Sequence, residues 1–185
     1  MKIFFDTEFT GLHKETTLIS IALVSENNRC FYAEFTDYDK SQVNDWIREN
    51  VINNLYCNQE TYLNNAKMLS FYHVGRKEEI KEKLSEWFST FDEVELVSDC
   101  CHYDMVLLAD IFGGAFDIPK NVCPACYDIN QDIARYYKIS QREAFNKSRE
   151  EIVKELSGKT FFETKHNALF DAKIIQSIYS EISKK

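Results

Sequence analysis

Apolar residues come in short runs along the first third of the chain, which is the pattern expected of β-strands. Residues 2–8, 17–26 and 30–35 are rich in Ile, Leu, Val and Phe, and short polar segments separate them. Because these links are short, we predict three strands joined as an antiparallel meander. Residues 94–99 are predicted as another short strand, and NVCPACYD as a strand end broken by Pro124.

Helical periodicity follows the meander. Within 75–91, one stripe with helical spacing contains Ile80, Leu84, Trp87, Phe88 and Phe91. Further helices are predicted over 41–55, 102–112, 129–138, 141–156 and 167–182, and irregular structure over 56–73. A meander followed by alternating helices and strands predicts an α/β fold, with a mixed sheet and helices on both faces.

The composition predicts one ordinary globular domain over residues 1–185, with 44% hydrophobic and 28% charged residues. No apolar run approaches the ~20 residues of a membrane helix, and acids follow the first residues too early for a signal peptide. We therefore expect a cytoplasmic protein without membrane contact. The net charge of −8 disfavours broad phosphate neutralisation, so a nucleic acid would be held locally, through metal ions for instance.

Two acids interrupt the end of the first predicted strand. Asp6 and Glu8 are two residues apart and therefore project to the same side as Phe4. Their Cα atoms would lie roughly 6–7 Å apart at about 3.3 Å per residue. The two carboxylates could converge on one cation, although a strand that frays into solvent would explain them equally simply.

Two further acids lie on helix faces that are otherwise apolar. Asp104 and Asp171 each precede three apolar residues at spacings of three, four and seven; these are Leu107, Leu108 and Ile111, and Ile174, Ile175 and Ile178. A favourable helix dipole explains an acid in the first turn but not its place on the apolar stripe. Burial of an unpaired carboxylate costs several kcal/mol or shifts its pKa, so we infer a shared divalent metal. Oxygen ligands suit Mg²⁺ or Mn²⁺.

A histidine lies next to the last of these acids. His166 precedes Asp171 by five residues, and Asn167 between them is a plausible helix N-cap. A lone histidine is more often structural or solvated. Beside an acid cluster that holds metal, however, His166 becomes a candidate general base, because its ordinary pKa of about 6.5 suits proton transfer near neutral pH.

Taken together, these segments resemble the three motifs of the DEDD (DnaQ-like) 3′–5′ exonucleases. The segments are FDTEFTGL, the Tyr103–Asp104 pair and HNALFD at 166–171. The spacing of five between His166 and Asp171 is similar to that of the DEDDh subgroup. With Phe9, the TLISIALV strand and its compact length, the chain most resembles the small stand-alone bacterial and phage 3′–5′ exoribonucleases of the mycobacterial type.

The resemblance implies a ribonuclease H-like fold with a mixed five-stranded sheet whose second strand is antiparallel. It also implies two Mg²⁺ or Mn²⁺ ions and release of nucleoside 5′-monophosphates from a nucleic-acid 3′ end. By the same resemblance, Asp6 would bridge both ions, and Glu8 and Asp171 would complete the site of the attacking water. Asp104 would support the second ion, partly through water, and His166 would take the proton from the attacking water.

The resemblance also implies substrate contacts. Thr7 and Phe9 occupy positions that contact the terminal nucleotide, and Leu12 matches the apolar residue that packs against the last bases. Tyr103 and Phe9 could stack bases without positive charge. RNA is favoured over DNA as the substrate, and relatives imply a homodimer.

The chain departs from the family pattern at the second motif. The usual asparagine is missing, and Asp99 and Cys100 occupy that region, so Asp99 is a possible substitute for Asp104. We prefer Asp104 because of its helical stripe. Asp128, after a predicted strand, is a further candidate acid. Three basic residues could guide the nucleic-acid backbone or simply form a solvated face, namely Arg149, Lys159 and Lys165.

Other functions stay open at this point. The cysteine pairs in SDCCHYD and CPAC could bind structural zinc, but the first pair is vicinal, which suits tetrahedral zinc poorly, so we prefer reduced thiols. The same chemistry could act on single-stranded DNA. A catalytically idle ribonuclease H-like binding module is a third interpretation, which the full set of four acids and His166 disfavours because binding alone needs no general base.

Overall fold

The computed structural model describes residues 1–58, 71–160 and 166–184, and its six strands form one mixed sheet. The strands are Lys2–Phe9 (β1), Leu18–Ser25 (β2), Cys30–Phe35 (β3), Tyr72–Gly75 (β4), Val94–Ser98 (β5) and Val122–Asp128 (β6). Their order in the sheet is β4-β3-β2-β1-β5-β6. β2 is antiparallel to β1 and β3, and the other neighbours are parallel, so the predicted meander is confirmed.

The sheet has six strands, and the predicted count of five is wrong. The additional strand is β4, which pairs in parallel with β3 from Tyr32–Tyr72 to Phe35–Gly75. Its first two residues lie in the segment 56–73 that we predicted as irregular, and residues 59–70 of that segment lie outside the described part of the chain. A strand of four residues is too short for the alternation of apolar and polar residues to be recognised in the sequence. β4 is therefore identified only by its pairing with β3 in the structure.

The described residues form these α-helices: Asp45–Asn50 (α1), Lys77–Phe88 (α2), Cys101–Phe112 (α3), Asn130–Tyr137 (α4), Gln141–Asn146 (α5), Arg149–Ser157 (α6) and Ala168–Ile182 (α7). The helix predicted over 141–156 is two helices, because Ser148 caps α6 by accepting a hydrogen bond from the Glu151 amide. The helix predicted over 41–55 shortens to α1, with 3-10 turns on either side. Within the described ranges, no helix is long and apolar enough to cross a membrane.

Helices cover both faces of the sheet, as predicted. Phe5 on β1 packs in one core cluster with Leu84 of α2 and Leu108 of α3. Its neighbour Phe4 points to the opposite face and packs with Ile174 of α7, in a cluster that also contains residues of α4 and α6. β2 is buried along its whole length, since it lies inside the sheet with helices above and below.

Pro124 lies inside β6 and does not end it, contrary to the predicted break. β6 is the last strand of the sheet, and proline is tolerated at an edge because the missing N–H removes no bond to a further strand. The pairing with β5 shifts register between Val94 and Leu96, which pair with Val122 and Cys126. The proline is thus accommodated by a local irregularity.

A buried carboxylate on β3 joins this strand to two later segments of the chain. Glu34 is 1% exposed, and its two oxygens accept hydrogen bonds from the hydroxyls of Tyr32 and Tyr72, each at 2.7 Å. The backbone amides of Tyr56 and Cys57 donate to the same carboxylate at 2.5 and 3.1 Å. Four donors compensate for the burial of this charge.

We predict that Glu34→Ala lowers the free energy of unfolding by about 3 kcal/mol, because it leaves buried donors without an acceptor. Urea denaturation measures this change. The control is Glu49→Ala, which removes an exposed glutamate and should change stability by less than about 0.5 kcal/mol. Equal stability of the two variants would contradict the role given to Glu34.

Candidate active site

A cleft of about 720 Å³ opens beside the second half of β1, just past the end of β5. The two strands are parallel neighbours, and α/β proteins commonly bind ligands at the carboxyl ends of parallel strands. The cleft is lined by all four acids predicted as metal ligands, Asp6, Glu8, Asp104 and Asp171, and also by His166. The structure thus brings together residues that are up to 165 positions apart in the sequence.

One group of acids joins β1 to α7. Oxygen atoms of Asp6, Glu8 and Asp171 all lie within 4.8 Å of one another. Asp6 and Glu8 share the face of β1 on which Phe4 packs against α7, as the sequence predicted. Asp171 lies in the first turn of α7, where Asn167 is the N-cap and accepts hydrogen bonds from the amides of Leu169 and Phe170.

A second group shares Asp6. Oxygen atoms of Asp6, Asp99 and Asp104 lie within 4.8 Å of one another. Asp104 is 1% exposed on the apolar stripe of α3, as predicted. The Thr7 hydroxyl donates to Asp104 Oδ1 at 2.5 Å, and the Ser98 hydroxyl donates to Oδ2. Asp99 therefore joins Asp104 at the site and does not replace it.

The acids repel one another in surroundings that already disfavour charge. Burial raises the pKa of Asp6 well above its usual range, and the charges of Asp104, Asp171, Glu8 and Asp99 raise it further. Burial and the charges of Asp171 and Asp104 raise the pKa of Glu8 in the same way. Burial raises the pKa of Asp104 to about 7, although the hydrogen bonds from Ser98 and Thr7 oppose this shift.

The donor set fits a divalent cation. Among the described residues, no Lys or Arg forms an ion pair with Asp6, Glu8 or Asp104. Buried carboxylates need a compensating charge, and clustered oxygen ligands without sulfur or imidazole suit hard cations. The acid cluster could therefore hold divalent metal.

His166 lines the cleft and contacts Trp46 of α1. Its ring makes an edge contact with the Trp46 indole at 5.0 Å between centroids. Its backbone has a φ of +61°, an uncommon conformation for a residue other than glycine. The next residue, Asn167, begins the cap of α7, so the helix that carries Asp171 also fixes the place of His166.

Large apolar side chains are exposed around the cleft. Leu12, Trp46 and Phe145 are 73%, 54% and 56% exposed, and all three line it. Exposed apolar groups gathered at one place commonly mark a binding surface. Leu12 was predicted from the sequence, whereas Trp46 and Phe145 were missed, because helical spacing alone does not tell which apolar residues stay uncovered.

The other residues predicted to contact the substrate are Thr7, Phe9 and Tyr103, and their surroundings differ. Phe9 lines the cleft, and its ring stacks on Tyr103 at 5.3 Å between centroids and 13° between planes. Tyr103 itself is outside the cleft lining, so its contact with a base stays a prediction. Thr7 also lines the cleft but is 4% exposed, and its hydroxyl is used to hold Asp104.

The remaining candidate residues are structural or lie elsewhere. Asp128 is outside the cleft lining, and its carboxylate accepts hydrogen bonds from the amide and side chain of Asn130 at the start of α4. Lys159 is exposed and also outside the lining, and Lys165 lies outside the described residues. Arg149 is not part of a solvated face: its side chain is 14% exposed and pairs with Asp99 at 2.7 Å.

The cysteines do not converge as zinc would require. The sulfur atoms of Cys101 and Cys126 are 3.0 Å apart, one from each pair considered for zinc. In the described part of the chain, which contains all six cysteines, the groups of three or more potential metal ligands consist of aspartate and glutamate alone. The geometry therefore gives no support to a structural zinc site.

Comparisons with known proteins agree with this geometry. A family profile described as "3'-5' exoribonuclease Rv2179c-like domain" matches residues 1–183. The 3'-5' exoribonuclease Rv2179c of Mycobacterium tuberculosis H37Rv is 27% identical over 124 residues, which are 66% of this chain and 67% of the relative. The 3'-5' exoribonuclease MT2234.1 of strain CDC 1551 gives the same values.

Solved structures show the same fold. The nuclease domain of 3'hExo, described as a DEDDh family member bound to rAMP, matches with a TM-score of 0.68 and 12% identity, over 99% of this chain and 91% of that chain. The catalytic unit of Neurospora crassa Pan2 matches with a TM-score of 0.57 and 12% identity, over 99% of this chain and 27% of that chain. The predicted ribonuclease H-like fold is confirmed, and the profile match shows that the chain belongs to the Rv2179c-like 3′–5′ exoribonuclease family.

Proposed function

We propose that this protein hydrolyses RNA from its 3′ end and releases nucleoside 5′-monophosphates with the help of two Mg²⁺ or Mn²⁺ ions. The observation that carries this proposal is the pair of carboxylate groups that share Asp6. Two ligand groups with one residue in common suit two neighbouring ions, which lie about 3.5–4 Å apart in such enzymes. Family membership supports the same activity.

In this proposal, Asp6 contributes to both ion sites. Glu8 and Asp171 complete the site on the α7 side, and Asp104 supports the ion on the α3 side. When bound, such ions lower the pKa of water and stabilise negative charge on the phosphate. The hydroxyls of Thr7 and Ser98 each donate a hydrogen bond to Asp104 and so orient its carboxylate toward the site.

His166 takes the proton from the attacking water. It lines the same cleft as Asp171, on the chain segment that leads into α7. Histidine side chains accept and release protons near neutral pH, which suits a general base. The contact with Trp46 restricts the ring of His166 on one side.

The cleft recognises the nucleic-acid end mainly by stacking. Leu12, Trp46 and Phe145 offer exposed apolar surface, and Phe9 adds a ring beside the acids. Bases stack on such side chains without need of positive charge, which matters in a chain with a net charge of −8. We infer that the protein binds a few nucleotides at the 3′ end, with RNA preferred over DNA.

Several expectations from the sequence stay predictions. They are the single exonuclease domain over residues 1–185, the cytoplasmic location and the homodimer. Single-stranded DNA stays the alternative substrate, since the ribose 2′-OH is recognised by local contacts that a motif does not fix.

We predict that a 3′-labelled RNA loses its label at once as a mononucleotide, whereas a 5′-labelled RNA shortens gradually. The reaction should need Mg²⁺ or Mn²⁺ and stop with EDTA. Asp6→Ala should reduce the rate about 1,000-fold or more, because both ions lose a ligand. Gel analysis with matched RNA and DNA measures polarity and sugar preference together. Equal RNA degradation by Asp6→Ala and wild type would refute the proposal.

We predict that His166→Ala lowers kcat by about 100-fold or more and leaves metal affinity unchanged, since a general base contributes about 10²–10⁴ in rate. The matched control is His102→Ala, which removes an exposed histidine outside the cleft lining and should keep the wild-type kcat. Rate assays and Mn²⁺ titrations test both variants. If His166→Ala instead weakened Mn²⁺ binding as much as it lowered kcat, His166 would be a metal ligand and not the base.

We predict that metal stabilises the fold by relieving repulsion among the acids. At about 100 times its Kd, an ion adds about 2.7 kcal/mol, which raises Tm by about 5–10 °C for a chain of this size. In EDTA, Asp6→Asn should melt above the wild type, since one repelling charge is gone, and should gain less from Mn²⁺. Thermal melts at matched ionic strength measure this. Identical wild-type melts with EDTA and Mn²⁺ would contradict the prediction.

A further inference from the structure

A fifth acid lies at the metal centre. Asp99 directly follows the last residue of β5, and it lines the cleft together with Asp6 and Asp104. Oxygen atoms of these three residues are within 4.8 Å of one another. Asp99 and Asp104 therefore each place one carboxylate oxygen within 4.8 Å of an Asp6 oxygen.

The two oxygens of Asp99 have different surroundings. Oδ2 accepts a hydrogen bond from Arg149 Nε at 2.7 Å. Within the described ranges, no group donates a hydrogen bond to Oδ1. One oxygen is thus held by the protein, and the other is free to bind a cation.

Each nitrogen of the Arg149 guanidinium donates a hydrogen bond within the protein. Besides Asp99, its guanidinium donates to the carbonyls of Ala144 and Lys147, both at 2.9 Å, and to Asn130 Oδ1 at 2.6 Å. Because every arm of the guanidinium has a protein acceptor, Arg149 is poorly suited to bind phosphate. It is suited to hold the Asp99 carboxylate in one orientation.

The same arginine fixes one wall of the cleft. The segment from Phe145 to Arg149, which joins the end of α5 to the start of α6, lines the cleft. Two carbonyls that accept hydrogen bonds from Arg149 belong to this wall, because Lys147 lies in the segment and Ala144 directly precedes it. A single side chain thus joins the acid cluster to the wall that carries the exposed Phe145 ring.

We propose that Asp99 is a fifth carboxylate of the metal centre, on the Asp104 side, and that Arg149 is the positioning residue that holds it there. This inference rests on the proposed function, because it assumes that Asp6 and Asp104 hold an ion. Arg149 also offsets one negative charge of the cluster, which allows five acids to gather at one edge of the sheet.

Mn²⁺ binding, followed by calorimetry and by electron paramagnetic resonance of free Mn²⁺, tests the inference on the full chain. Asp99→Asn keeps the shape of the side chain and removes its charge. We expect one of two Mn²⁺ sites, the one on the Asp104 side, to lose affinity about 10-fold or more, and the other to keep its affinity. Arg149→Met should weaken the same site by about 10-fold, because Asp99 is no longer held. The kcat of Asp99→Asn should recover as the Mn²⁺ concentration rises.

A second arginine–aspartate pair provides matched controls. Asp132 and Arg135 form an ion pair on α4, outside the cleft lining. Asp132→Asn and Arg135→Met should bind Mn²⁺ like the wild type. If Asp99→Asn bound Mn²⁺ within about twofold of Asp132→Asn, the inference would be wrong.

A further variant separates this inference from the proposed function. Asp6→Ala should lose both Mn²⁺ sites. If Asp6→Ala loses them and Asp99→Asn does not change, the role of Asp99 is refuted and the two-ion centre stands. If Asp6→Ala binds Mn²⁺ normally, the proposed function itself fails. Circular dichroism checks that each variant is folded, and because Asp99→Asn and Arg149→Met test the same site independently, one folded variant is sufficient.

Discussion

Mutual repulsion among clustered carboxylates is the constraint on which the site depends. The pKa values of Asp6, Glu8 and Asp104 are raised because these acids are partly or, for Asp104, fully shielded from water and because negative charges lie close by. Two hydroxyls and one arginine offset only part of this cost. A fold that keeps such a cluster without metal loses stability, and the proposed cations would supply the compensating positive charge.

The architecture supplies the cluster from several directions. β5 ends beside the middle of β1, because the parallel register pairs Phe4 with Val97, so Asp99 meets Asp6 just past the end of β5. α3 packs on one face of the sheet and α7 on the other. They bring Asp104 and Asp171 to the same edge from opposite sides, which leaves one open cleft for a nucleic-acid end.

Much of this arrangement was predictable from the sequence, because periodicity is a local property. Each strand of the meander, the apolar stripe that contains Asp104 and the helix cap at Asn167 can be recognised from residue spacing within its own element. β4 was not predictable, since its four residues depend on the edge of β3. The Arg149–Asp99 pair was also out of reach, because it joins residues 50 positions apart through a side-chain contact. Exposed Trp46 shows the same limit, since tertiary packing alone decides which apolar residues stay uncovered.

The central claim is that the acids form one two-ion centre around Asp6. Anomalous diffraction from crystals of the protein soaked in Mn²⁺ tests it most directly. The account predicts two anomalous peaks about 3.5–4 Å apart, both within bonding distance of Asp6, with Glu8 and Asp171 at one and Asp104 at the other. Peaks away from Asp6, or no peak in the cleft at saturating Mn²⁺, would contradict it.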